Sequence, residues 1–202
     1  MALKLPVGGG GDFKIAPAGT HIAICNLVAD MGLQPGSAVY PTPKRRLYLR
    51  FEIPQERISY ELNGVKHEGP LTIGQQFTAS MNKKATLRLA LEGWRGRSFT
   101  DDEAADFDIS KVLGQPCTLI VSHNRSGDRT YANISSIGPI PRGMPKPTAE
   151  NPLLYYGDDD PADFDKLPNW LQEKIKAQLK APAPEPAESH ATDAPFDDDI
   201  PF

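Results

Sequence analysis

The sequence predicts a mainly β domain with a helix inserted before its last two strands, followed by an acidic C-terminal tail. Three observations carry this. Residues 45–53 alternate polar and apolar side chains with period two, the mark of a half-buried strand. Asn63-Gly64 stands between two β-rich runs, as in a two-residue hairpin. Charge divides the chain, because residues 1–147 hold 18 Lys+Arg against 13 Asp+Glu while residues 148–202 hold 4 against 13. A body of charge plus five is thus joined to a tail of minus nine, giving the net −4 of the 202-residue protein. That asymmetry suits an anionic ligand for the body and a basic partner for the tail.

Residues 1–14 read as a flexible leader; Gly8-Gly9-Gly10-Gly11 lacks the Lys-Ser/Thr and strand-to-helix context of a phosphate loop. After a turn at Pro17-Ala18-Gly19, Thr20 to Val28 is the first strand, and residues 32–43, with three prolines and two glycines, are a loop. The second strand, Arg45 to Ile53, sends Leu47, Leu49, Phe51 and Ile53 to the core and Arg46, Tyr48, Arg50 and Glu52 to the other face. A tyrosine flanked by arginines is what a single-stranded nucleic acid requires, since guanidinium groups follow the phosphates while the ring stacks on a base. Ile58 to Leu62 and Val65 to Glu68 form the hairpin, on which Tyr60 either stacks or packs, and a short strand surrounds Gln75 to Ala79.

The period then changes. Asn82 is placed to cap a helix over Lys83 to Arg95, whose stripe of Leu87, Ala90, Leu91 and Trp94 faces the core and whose Arg88 and Glu92 are spaced to pair. Lys83 and Lys84 fall in its first turn, against the helix dipole, where a phosphate would relieve them. Thr100-Asp-Asp-Glu103 is a capping box, and the acids through Asp106 and Asp108 follow the dipole rather than a metal-loop spacing. Two closing strands, Cys117 to His123 and Arg129 to Ile137, are joined by a loop bearing Arg125. In the second, Arg129 and Tyr131 repeat the basic-plus-tyrosine pattern. The folded domain is therefore expected over residues 15–147. Residues 148–180 read as a linker with a short amphipathic helix from Trp170 to Leu179, and residues 181–202 as a disordered tail.

Cys25 and Cys117, each in an apolar strand-like run, read as buried thiols of a reducing cytoplasm. No apolar run reaches membrane length and no signal peptide opens the chain, so a soluble cytoplasmic protein without a membrane partner is expected. His21, His67, His123 and His190 are scattered, and there is no nucleophile elbow or His/Cys cluster. No enzyme, metal or cofactor is expected.

The last six residues, Asp197-Asp198-Asp199-Ile200-Pro201-Phe202, place three carboxylates and a terminal carboxylate beside two apolar side chains whose backbone Pro201 restricts. This tip resembles the C-terminal hook of bacterial single-stranded DNA-binding proteins. The resemblance implies an OB-fold body, single-stranded DNA as ligand, and host or phage replication and repair proteins as partners of the tip. The body shares no motif with those proteins, so the OB fold is inferred from the tip together with the strand pattern, a Greek-key barrel with an inserted helix.

A second run, Ala79-Ser-Met-Asn-Lys-Lys-Ala-Thr-Leu-Arg-Leu-Ala-Leu-Glu-Gly-Trp-Arg-Gly-Arg-Ser-Phe-Thr-Asp-Asp-Glu103, with Phe107-Asp-Ile109 and Leu113-Gly-Gln-Pro-Cys117, is similar to a bacteriophage-encoded family of small replication-associated proteins. It implies a phage or prophage origin. On this reading Tyr48, Tyr60 and Tyr131 stack on bases, while Arg45, Arg46, Arg50, Lys83, Lys84, Arg125 and Arg129 meet the backbone. The competing reading is an adaptor that presents the hook without binding DNA. Whether the body self-associates stays open.

Overall fold

The long first strand, β1 (Gly19–Gln34), is the one on which the sheet is assembled. In this computed structural model, which describes residues 14–36, 38–62, 65–157 and 160–179, β1 runs antiparallel to β2 (Lys44–Leu62) along one edge. Its other edge is shared. Residues 19–24 pair antiparallel with β4 (Pro116–Ser126), and residues 27–29 pair in parallel with the short β6 (Leu154–Tyr156). β3 (Val65–Thr78) adds to β2 and β5 (Arg129–Gly138) adds to β4, which gives the order β3-β2-β1-β4-β5. The antiparallel strands curl into a half-barrel, and α1 (Thr86–Arg95) packs against both end strands, β3 and β5.

β1 is apolar on both faces because each face meets a different core. Ala23, Cys25 and Val28 join the larger cluster inside the curl, with Leu47, Leu49, Phe51 and Ile53 of β2. Leu27, Ala29 and Met31 join a second cluster on the outside, with Leu154, Leu167, Leu171 and Ile175 from the C-terminal segment. The register slips at Asn26, between Cys25 and Leu27, and such a bulge moves the following side chains to the opposite faces. The two cysteines are free and buried, and burial pushes the Cys25 thiol up to about 12.

The α1 stripe packs as its spacing predicts. Trp94 is buried, its ring centroid is 5.5 Å from that of Phe51, and its indole N–H donates to the Pro116 carbonyl at 2.9 Å. Arg88, also buried, donates to Glu92 at 3.0 Å and to the carbonyls of Met81 and Phe99. α2 (Asp101–Ala105) opens with the expected capping box. Glu103 accepts from the Thr100 backbone N–H and pairs with Arg97 and Arg95, which together hold its carboxyl down at about 2.

Several elements depart from the sequence reading. The segments 45–53 and 58–62 are one strand, β2, with its register shifted between Ile53 and Arg57; Pro54, which lacks an N–H for the ladder, lies in that irregular stretch. β3 is likewise one continuous strand rather than two short ones. Leu62 pairs with Val65, as a two-residue loop demands, although Asn63 and Gly64 themselves lie outside the described residues. α1 starts at Thr86, not Lys83, because Asn82 to Lys84 form a turn closed by the Ala85 N–H on the Asn82 carbonyl at 2.8 Å. Lys83 and Lys84 therefore precede the helix and do not strain its dipole. Asn82 supplies no side-chain cap.

The stretch read as a linker is folded onto the sheet. Glu52, fully buried, accepts from the backbone N–H groups of Glu150 at 2.7 Å and Asn151 at 3.0 Å and from the Asn151 side-chain amide at 2.7 Å. β6 follows, and then α3 (Asn169–Lys176) lays Leu171 and Ile175 on Leu27, Ala29 and Met31. The Leu179 N–H donates to the Leu33 carbonyl at 2.8 Å, which pins the end of the segment to β1. The leader glycines and the tip Asp197 to Phe202 lie outside the described residues.

Candidate nucleic-acid interface

Three of the ten residues expected to meet nucleic acid fall on one row of β2. The pleat that buries Leu47, Leu49 and Phe51 turns Arg46, Tyr48 and Arg50 outward, beside β3. Strand pairing sets Arg46 opposite Thr78, Tyr48 opposite Gln76 and Arg50 opposite Gly74. The Tyr48 ring lies over Gly74, where a Cβ would stand 2.0 Å from the phenolic oxygen, so only glycine leaves room for it. Tyr48 is half-buried, and its hydroxyl pKa is raised by that burial. Its covering partner is Trp170 at the start of α3, with ring centroids 5.0 Å apart and planes at 87°.

The flanking cations are held in place. Arg46 donates to the Thr78 hydroxyl at 3.0 Å. Arg50 donates through Nε to the Asn26 side-chain oxygen at 3.1 Å, and burial lowers its pKa. Asn26 is fully buried at the bulge, and its Nδ2 has no partner among the described residues. Arg45, at the start of the strand, is paired with Asp30.

The other expected contacts are dispersed. Tyr60 lies on the outer part of the β2–β3 hairpin, half-exposed and stacked on His67, its cross-strand partner, at 5.6 Å and 20°. Arg125, Arg129 and Tyr131 share the β4–β5 hairpin: Tyr131 faces Asn124 and Arg129 faces Ser126, all exposed. Arg125 donates to the Gly127 carbonyl at 3.3 Å, within its own loop. Tyr131 is separated from Tyr48 along the sheet by β1 and β4. Lys83 pairs with Asp101 at 3.1 Å, and Lys84 is exposed beside it.

A groove of about 420 Å³ lined by Trp94, Phe99, Phe107 and Lys111 lies on the α1–α2 side and includes none of the ten residues. Among the described residues no group of three or more His, Cys, Asp or Glu could hold a metal ion, and no helix is long and apolar enough to cross a membrane. The residues that sequence reasoning missed are Asn26 and Trp170. The first sits inside an apolar run; the second reads only as one apolar residue of a short amphipathic helix.

No protein-family model, curated protein or solved structure matches this chain.

Proposed function

We propose that the protein belongs to the oligonucleotide-binding β-barrels, the OB-fold class. Within it we read the chain as a phage-type single-stranded DNA-binding protein, which covers unpaired DNA in replication and recombination and recruits replication and repair enzymes through Asp197 to Phe202. The observation that carries this is the strand order β3-β2-β1-β4-β5 with α1 between β3 and β4. OB folds are five-stranded, partly open Greek-key barrels that bind oligonucleotides on strands 2 and 3 and the neighbouring loops. Here that face carries Tyr48 between Arg46 and Arg50, and the β4–β5 loop region adds Arg125, Arg129 and Tyr131.

Titration of labelled oligo-dT and a duplex of equal length at two salt concentrations tests the reading. The single strand is expected to bind more tightly, over roughly 4–16 nucleotides per barrel, and to weaken steeply with salt, because releasing counterions gains less free energy when the solution already holds more of them. A specific observation favours the adaptor instead: Arg45, Arg46, Arg50 and Lys83 already hold partners within the chain. A dissociation constant in the millimolar range at about 50 mM salt would select that reading. The recruiting role has its own expected result. Deleting Phe202 abolishes capture of host repair proteins and leaves oligo-dT affinity unchanged; retained capture rejects the role.

A further inference from the structure

We infer that Trp170 is a stacking surface for a nucleobase, so that the C-terminal segment completes the face on which the polynucleotide lies. This rests on the single-strand-binding reading above. Within α3, Leu171 and Ile175 are 0% and 3% exposed, whereas Trp170 keeps 41% of its surface open. Packing of the helix explains the first two and leaves the open side of the indole without a structural role. A perpendicular contact joins the edge of one ring to a face of the other, so Tyr48 covers at most one face of the Trp170 indole. Both rings are fixed beforehand. Tyr48 is seated in the space left by Gly74, and Trp170 is held by Tyr48 and by the docked helix behind it. A platform ordered before binding saves the entropy of fixing it afterwards.

The polar groups alongside fit the same ligand. Arg46 and Arg50 stand two residues to either side of Tyr48, and among the described residues Arg50 donates through Nε to Asn26, with its two terminal nitrogens as further donors. Phosphate oxygens are the acceptors that such donors take. Stacking accepts any base, because every base has a π face, so the ligand is an unpaired polynucleotide of any sequence.

Tryptophan emission gives a direct test on the full chain. Trp94 is buried and hydrogen-bonded to Pro116, so quenching by added oligo-dT reports Trp170. The wild type is expected to be quenched. Trp170→Ala should lose the quench and bind about 5- to 100-fold more weakly at every salt concentration, with the slope of log K against log salt unchanged, because a stacking ring releases no counterions. Trp170→Phe should retain most of the affinity without the quench, and Arg46→Ala should lower the slope. Oligo-dT binding with unaltered emission, or with unaltered affinity in Trp170→Ala, overturns the inference and leaves the function standing. A Trp170→Ala loss accompanied by a smaller slope also overturns it, since a displaced helix would then be disturbing the arginines. Absence of any oligo-dT binding by the wild type overturns the function itself.

Discussion

Leu171→Ala is expected to destabilise the protein by about 2–5 kcal/mol, the range for removing a fully buried leucine and leaving a cavity. Leu171 is completely buried in the outer cluster with Leu27, Met31, Leu167 and Ile175. For a domain of this size that loss lowers the thermal midpoint by roughly 4–20 °C. Denaturant unfolding checks it. A loss under about 1 kcal/mol would mean that α3 does not rest on β1 in solution, because exposed positions rarely exceed about 0.5 kcal/mol. The variant also bears on binding, since loosening α3 removes the support behind Trp170.

Glu52→Ala is expected to cost about 2–5 kcal/mol by a different route. Its carboxylate is the acceptor for two backbone N–H groups and one side-chain amide, and each donor left unsatisfied costs about 1–3 kcal/mol, less whatever entering water returns. Glu52→Gln keeps one oxygen acceptor and sets an NH₂ against donors, so it should fall between wild type and alanine. Amide hydrogen exchange supplies a local readout. The N–H groups of Glu150 and Asn151 should exchange faster in both variants, and unchanged exchange would show that the carboxylate does not hold this strap.

Much of the inner architecture is legible in the residues. The alternation in β2 places Leu47, Leu49, Phe51 and Ile53 in the core, the Thr100 to Glu103 capping box forms, and Trp94 packs inward. These succeed because the signal and the structure it dictates are local. The outer core is harder to see. Tyr48 and Glu52 fall on the face opposite the core, and the residues that cover them, Trp170 for the one and Glu150 and Asn151 for the other, lie far along the chain, a distance that nothing in β2 encodes. β6 has three residues, too few for a period. In β1 the apolar run does announce burial on both faces, but the partner of the second face cannot be read from β1 alone. Asn26 is concealed for the same reason: within an apolar strand its amide carries no sequence pattern, and only the bulge turns it toward Arg50.

The shared edge of β1 also bears on how the chain is made. Leu27, Ala29 and Met31 are translated long before Leu154, Leu171 and Ile175, which shield them. A nascent chain thus carries an unfinished greasy patch until α3 emerges, the condition under which chains associate wrongly or call on chaperones. Closing that patch late makes α3 the latch of a domain whose meander can already have formed.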